Sequence, residues 1–270
     1  MSTIRNSLVA VFLAAVLICG CSSDKPTEST PEANDDNLVI LRSSSPHFNY
    51  YCTLRDVAVI DTIRVLLETN LQRASALYNF SINDTIDVKI YPDFETFHDN
   101  VEWPTDDIPS TLVGQCVNGY ELKIISPLNS EPVNSYSEML IVVVHESMHA
   151  FHFHITGAVS GSLYPPAWLF EGFAVFEANQ RPNRDLIRQR IADGDLPLIE
   201  QYENPDFFNA NYGYHFCYTI HEYLLSAFGY DRVSVLLKYP NQIAYSLGTD
   251  VTMATLNAGW HEFLLANYSE

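Results

Sequence analysis

Basic residues are scarce in this 270-residue chain, which carries 14 Lys and Arg against 33 Asp and Glu. The formal net charge is therefore −19 at pH 7. An acidic surface repels phosphate backbones and anionic lipid headgroups, because like charges oppose close approach. The composition excludes nucleic acid as an expected partner and disfavours peripheral docking on an anionic membrane.

Several motifs of common enzyme classes are also absent. Neither the G-x-S-x-G nucleophile elbow nor a P-loop pattern occurs, which sets aside serine-hydrolase and nucleotide chemistry. The five cysteines include no C-x-x-C pair and no Cys/His spacing typical of a structural zinc site. The apolar run at residues 8–18 is too short to span a bilayer, but it suits the hydrophobic region of a signal peptide.

The sequence Ile18-Cys19-Gly20-Cys21 follows this apolar run and resembles the lipobox of bacterial lipoproteins. It predicts that a signal peptide, residues 1–20, is removed and that Cys21 is acylated. Residues 21–37 are polar, acidic and Pro-containing, which is typical of a flexible tether, and the folded domain is expected at 38–270. Ser22 instead of Asp favours the outer membrane of a bacterial cell envelope, with the lipid as the only membrane anchor. An ordinary secretory signal is the alternative.

Three cysteines remain in the expected mature domain. Cys52 and Cys116 can form a disulfide in an oxidising periplasm, leaving Cys217 free. Three buried thiols are the alternative, and the sequence does not decide between them.

Hydrophobic periodicity predicts an α+β fold, with a small strand-bearing N-terminal lobe, a helical C-terminal lobe and the active-site helix between them. Strands are predicted at residues 86–91, 111–117 and 121–126, the last two joined by the hairpin dipeptide Asn118-Gly119. Helices are predicted at residues 56–78, 137–155, 165–179, 184–192, 209–227, 231–238 and 259–268. The strand at 121–126 is either an edge strand that pairs with an extended substrate or an ordinary inner strand.

A metal-binding pattern, His145-Glu146-Ser147-Met148-His149, lies within the apolar helix predicted at 137–155. Two histidines four residues apart stand one turn apart on a helix, so both imidazoles can reach one ion. Glu146 follows the first histidine and is placed to act on a water at that ion rather than to bind the ion. A core helix whose histidines bond to carbonyl groups is the alternative.

A catalytic zinc commonly has three protein ligands and an open fourth position, so a third ligand is expected. Glu171 lies 22 residues after His149 in the sequence WLFEGFA, within the helix that Pro165-Pro166 opens. Gly172 indicates close packing of this helix on another one, which would carry the carboxylate back to the same ion. The alternative for Glu171 is an acidic residue that complements the dipole at the helix N-terminus.

The pairing of the His145–His149 motif with WLFEGFA resembles the gluzincin zinc metallopeptidases of the peptidase MA-like group. Looser similarity extends from the strand at 86–91, through Tyr214-His215-Phe216-Cys217, to Trp260-His261-Glu262. The resemblance implies a zincin-like fold, one zinc per chain, Glu146 as general base, and a peptide or protein substrate. It also implies a residue that stabilises the oxyanion; Tyr214 is the counterpart by position, with Tyr212 as the alternative. Tyr214 as a simple core aromatic is a further alternative.

One position departs from this family pattern. Related enzymes often carry an acid four residues after the ligand Glu, where it holds the free ring nitrogen of the first histidine. That position is Val175 here, and Glu177 points away from the required direction on a helix. The partner of His145 is therefore expected elsewhere in the chain. His152 is expected to be a hydrogen-bonded core or rim residue, with a second metal role as the alternative.

The sequence leaves two other functions open. One is a non-catalytic surface lipoprotein with a zincin fold that binds proteins or glycans, although an intact Glu146 argues against it. The other is an enzyme that acts on a non-peptide amide or ester.

Overall fold

The computed structural model describes residues 36–103, 108–128, 134–157 and 165–270. The predicted signal peptide, Cys21 and the predicted tether up to residue 35 lie outside these ranges. Within them, no helix has both the length and the apolar character that crossing a bilayer requires.

The described ranges form an α+β arrangement, which confirms the predicted fold class. The strands are β1 Ile40–Ser44, β2 Phe48–Cys52, β3 Ile86–Tyr91, β4 Gly114–Val117 and β5 Glu121–Ile125. The helices are α1 Val57–Tyr78, α2 Phe94–His98, α3 Tyr136–Thr156, α4 Ala167–Glu177, α5 Arg184–Asp193, α6 Pro205–Ala210, α7 Gly213–Lys238, α8 Ile243–Leu247 and α9 Met253–Tyr268. A 3-10 helix, Ile199–Glu203, lies between α5 and α6.

The five strands form one mixed sheet in the order β1-β2-β3-β5-β4. β2, β3 and β5 run parallel, whereas β1 and β4 are antiparallel to their neighbours. β4 and β5 form the predicted hairpin: residues 118–120 connect the paired Val117 and Glu121, and Asn118 and Gly119 both have positive φ (50° and 78°), as a type I′ turn requires. The edge-strand alternative for residues 121–126 is wrong, because β5 lies between β3 and β4; the strand at this edge of the sheet is β4.

Helix α3 lies at the centre of the packing. It contacts β4 and β5 of the sheet as well as α1, α4 and α7. A capping box fixes its start: the Ser135 hydroxyl accepts from the Glu138 N–H, and Glu138 Oε2 accepts from the Ser135 N–H. Its mostly buried side chains, including Val143, Met148 and Phe151, join the main hydrophobic core. The sheet and the helical layer therefore meet at the helix that carries the predicted metal-binding pattern.

Some predicted boundaries were wrong in the helical half. The helix predicted at 209–227 begins only at Gly213, because Tyr212 adopts a left-handed conformation (φ 58°) after the short α6. α7 is interrupted at Gly229, whose φ and ψ are non-helical, so its last part corresponds to the helix predicted at 231–238. α9 begins at Met253, earlier than predicted, because the Thr252 hydroxyl caps it by accepting from the Thr255 N–H.

Cys52, Cys116 and Cys217 are all free thiols. The disulfide alternative is wrong, because Cys52 lies on β2 and Cys116 on β4, with β3 and β5 between them. Three strand spacings separate the two strands by about 14 Å, far more than a disulfide can bridge. Cys52 and Cys217 are buried, whereas Cys116 is partly exposed.

Candidate metal centre

Helix α3 places three side chains of the predicted motif at the junction of sheet and helices. His145, Glu146 and His149 are each at most 2% exposed. Their burial follows from the apolar character of α3, which leaves no solvent-facing stripe in this part of the helix. Buried imidazole and carboxylate groups need partners, because removing an unpaired polar group from water is costly.

Helix α4 brings Glu171 to the same place. Its first turn follows Pro166, and Gly172 packs against α7 so closely that a Cβ there would lie 2.6 Å from the Cys217 carbonyl oxygen. The glycine therefore allows α4 to lie between α7 and α3, in agreement with the close helix approach predicted for it. Glu171, on the α3 side, is 3% exposed.

The side chains of His145, His149 and Glu171 converge on one point. Nε2 of His145 lies 2.9 Å from Nε2 of His149, and the two nitrogens lie 3.4 and 3.5 Å from Oε2 of Glu171. A tetrahedral ion bound at about 2.0–2.1 Å separates its ligand atoms by roughly 3.3 Å, close to these three distances. Among the described residues, this is the one group of three or more His, Cys, Asp or Glu residues that could hold a metal ion.

The charges of this cluster also favour a cation. Burial by itself raises the pKa of the Glu171 carboxyl, but His149 and His145 beside it lower that pKa to about 2. Burial by itself lowers the pKa of His145. The hydrogen bond with Glu171 and the negative charges of Glu146 and Glu171 outweigh burial, so the pKa of His145 is raised overall. The two carboxylates therefore favour positive charge at this point, either as a proton on His145 or as a metal ion. Two imidazoles and a carboxylate are also donor groups that suit a divalent metal ion.

Glu146 lies beside the cluster without joining it. Neither of its carboxylate oxygens makes a hydrogen bond of good geometry to a described residue. Burial raises the pKa of Glu146 to about 7, an effect that Glu171 reinforces and that His145 and the Cys116 backbone oppose. β4 covers this side chain: a Cβ at Gly114 would lie 2.9 Å from Glu146 Oε1.

Tyr214 and Tyr212 take different positions at the start of α7. The ring of Tyr214 is half-buried, with its centroid 6.3 Å from that of His145 and 4.9 Å from that of Phe208. Tyr212 precedes the helix and is 37% exposed. Of the two candidates for oxyanion stabilisation, Tyr214 is the one whose ring packs beside a predicted ligand.

The partner of His145 is a residue that sequence reasoning missed. Nδ1 of His145 lies 2.9 Å from Oε1 of Gln180, which follows α4. Val175 is buried in the core, and Glu177 points away from His145, as predicted. Glu177 accepts a hydrogen bond of 2.6 Å from the Tyr78 hydroxyl and pairs with Arg73. Asn179, a residue type that favours the left-handed helix end (φ 57° here), is a sequence signal for the chain reversal before Gln180, although not for the contact itself.

The other histidines of the helical half lie within the fold. His152 is fully buried beside Phe170 and Phe173, in agreement with the expectation of a core residue, and the Leu237 backbone is the hydrogen-bonding group beside its ring. Burial lowers the pKa of His152 to about 3 and keeps it neutral. His221 contacts the Tyr78 hydroxyl through Nε2 at 3.0 Å. The cluster that could hold a metal includes neither residue.

A scan against protein-family models, a search of curated proteins and a search of solved structures each found no match to this chain. Membership of the gluzincin group and a zincin-like fold therefore stay predictions that rest on the motifs. The function has to be inferred from the chemistry of the site itself.

Proposed function

We propose that this chain is a zinc metallopeptidase of the gluzincin type, in which His145, His149 and Glu171 hold one zinc ion and Glu146 is the general base. The observation that carries the proposal is the convergence of three buried ligand atoms, from His145, His149 and Glu171, beside the buried carboxyl group of Glu146, which is not one of the converging ligands. Two imidazoles and one carboxylate form a ligand set typical of catalytic zinc, which keeps a further coordination position open.

Zinc, when bound, supplies a Lewis acid that polarises a carbonyl group and lowers the pKa of water. The remaining chemistry belongs to the chain. Glu146 accepts a proton from the attacking water and later delivers it to the leaving amine. Burial of Glu146 raises its pKa in the metal-free chain, the direction that suits a group that both takes and returns a proton.

The edge strand β4 supports an extended peptide or protein as substrate. β4 passes over Glu146 at Gly114, and as an edge strand it has one side that no other described strand pairs. An extended chain could pair with this side by β-addition, which would place a backbone carbonyl beside the candidate site. The substrate-pairing role considered for β5 is thus reassigned to β4.

The location of the enzyme follows from Cys21. We expect the mature chain to be held at the bacterial cell envelope, most readily the outer membrane, by acylation of this cysteine. The evidence is the lipobox resemblance alone, since Cys21 lies outside the described residues.

Removal of zinc should abolish hydrolysis, and its return should restore it. The full chain is dialysed against a strong chelator, split, and reloaded with either one equivalent of zinc or none. Cleavage of a denatured protein and of a peptide mixture is followed by mass spectrometry. We expect cleavage in the zinc-loaded sample only. Equal cleavage in the metal-free sample would contradict the proposal, and zinc binding with no cleavage would favour the non-catalytic binding lipoprotein.

Tyr214→Phe should lower kcat by about 10²-fold with only a modest change in KM, because it removes one donor to the oxyanion and leaves the base intact. Tyr212→Phe is the matched control and should leave kcat unchanged. Both variants are compared with wild type on one peptide, with zinc content confirmed. A loss in Tyr212→Phe with normal kcat in Tyr214→Phe would assign the oxyanion role to Tyr212 instead.

A further inference from the structure

We propose that Gln180 is the positioning residue of the metal centre, because it fixes the ring orientation and the tautomer of His145. This inference rests on the proposed function, since it concerns a ligand of the same zinc site. It assigns a role to a residue outside both motifs, on the turn that follows α4.

The hydrogen bond joins the outer edge of the His145 ring to the amide of Gln180. Nδ1 and Oε1 are 2.9 Å apart, while Nε2 on the opposite edge of the ring is the atom that meets His149 and Glu171. An amide oxygen can only accept, so Nδ1 carries a proton, and Nε2 is the nitrogen whose lone pair would bind a metal once the ion replaces any proton shared with Glu171. The opposite amide orientation would donate to Nδ1 and place the proton on Nε2, which could not then bind zinc.

The backbone holds Gln180 in this position through two hydrogen bonds. α4 ends at Glu177, and Asn179 turns the chain with φ 57°. The Gln180 N–H donates to the Val175 carbonyl at 2.9 Å, and the Asn179 N–H donates to the Phe176 carbonyl at 3.0 Å. This pattern is a Schellman-type helix end, which reverses the chain within two residues. Glu171 and Gln180 thus belong to one hydrogen-bonded element, α4 and its C-terminal turn. This element positions one predicted ligand, Glu171, and orients another, His145.

His149 is held in a different way. Its Nδ1 has no hydrogen bond to a described residue, and its ring stacks on Phe170 at 4.0 Å between centroids and 14° between planes. Stacking restrains the plane of a ring but does not select which nitrogen is protonated. Among the described residues, the hydrogen bond from His145 to Gln180 is therefore the contact that holds the Nδ1 side of a ligand ring, the side away from the candidate metal position.

Gln180 is also an uncharged acceptor. Related enzymes often have an acid in this role, at the position that Val175 occupies here. A carboxylate partner would raise the basicity of the imidazole and add a further negative charge to those of Glu171 and Glu146. Substitution by Glu should consequently keep or strengthen zinc binding, whereas substitution by Met removes the acceptor at nearly constant size.

The test compares wild type, Gln180→Met, Gln180→Glu and Gln201→Met as full chains. Gln201 is a matched control, because its Oε1 also accepts one N–H, from Leu198 at 2.7 Å, but it contacts no predicted ligand. Zinc dissociation constants are measured by competition with a chelator of known affinity. The visible spectrum of the Co²⁺-substituted chains reports the ligand geometry, and urea unfolding of the metal-free chains reports stability.

We expect Gln180→Met to weaken zinc binding by about 10–100-fold and to change the Co²⁺ spectrum. Gln180→Glu should bind zinc at least as tightly as wild type, and Gln201→Met should bind it as wild type does. A wild-type zinc affinity in Gln180→Met would overturn the inference. If that variant does not fold, a tenfold loss in Gln180→Glu overturns it, and retained affinity supports it.

The outcomes separate this inference from the proposed function. If the wild-type chain binds no zinc, both the proposed function and the role of Gln180 are contradicted. A wild-type chain that binds zinc and cleaves peptides, with an unchanged Gln180→Met, removes only the role of Gln180. A third outcome is weaker zinc binding in Gln180→Met alone, in a set of chains that cleave no peptide. This result supports the role of Gln180 and contradicts the proposed hydrolase.

Discussion

Glu146→Gln is expected to retain one zinc per chain and a native fold while losing about 10²–10⁴-fold in turnover. Glutamine is almost the same size as glutamate, so it fits the space beneath Gly114 on β4. It cannot accept the proton of the attacking water, which is the step assigned to this side chain. Zinc binding should persist, because Glu146 is not among the three converging ligands.

The stability of this variant should not fall. Glu146 is fully buried, and its oxygens make no hydrogen bond of good geometry in the described part of the chain. Replacing a buried carboxylate by a neutral amide of nearly the same size lowers the cost of keeping the group away from water. Glu138→Gln is the matched control on the same helix, since glutamine also serves the capping box at Ser135. Turnover by zinc-loaded Glu146→Gln within a factor of about three of wild type would contradict the assigned base, whose loss should cost far more.

Glu171→Ala is expected to weaken zinc retention by more than the roughly 10–100-fold that loss of an outer hydrogen-bond partner costs. The substitution removes one of the three ligand atoms and leaves two buried imidazoles that lie 2.9 Å apart. It also removes the negative charge that balances the cation. The measurement is zinc content after dialysis, together with the dissociation constant from chelator competition.

Glu177→Gln provides the matched comparison, because Glu177 is equally buried and lies on the same helix, α4. It should retain zinc as wild type does. Glutamine is the right substitution there: Glu177 accepts from Tyr78 and pairs with Arg73, and truncation to alanine would leave both without their buried partner. If Glu171→Ala holds zinc as tightly as wild type, the third ligand is misassigned.

Local sequence signals predicted the elements that carry the candidate site. β3 was predicted with its observed bounds, because Ile86, Val88 and Ile90 alternate with less buried residues and meet the core on one face of the strand. α3 differs from its prediction by one residue at each end, since a capping box and the left-handed Gly157 mark its limits. The i, i+4 spacing of His145 and His149 translates directly into neighbouring rings on such a helix.

Other features depend on contacts between residues distant in the chain. β1 and β2 were not predicted, because their five-residue segments become strands only by pairing with each other and with β3. The inner position of β5 is likewise set by strand order, which residue alternation does not encode. Tyr212 looked like part of a helix, since a left-handed conformation is uncommon outside glycine and asparagine.

The metal site was only partly accessible from the sequence for the same reason. The position of Glu171 follows from the packing of α4 on α7 through Gly172, which a spacing of 22 residues can suggest but cannot fix. The contact between His145 and Gln180 joins residues 35 apart through a helix end, and no spacing rule indicates it. Substrate preference depends on which side chains the fold brings beside the site, and local periodicity does not give this.

Cleavage of a broad peptide library by the zinc-loaded wild-type chain, followed by mass spectrometry, tests the central claim most directly. The library is incubated in parallel with zinc-loaded Glu146→Gln, so that any contaminating protease is detected as cleavage common to both samples. We predict new peptide termini in the wild-type sample and none above background in the variant. Intact peptides in a wild-type sample with one zinc per chain, or the same termini at the same rate in both samples, would contradict the account.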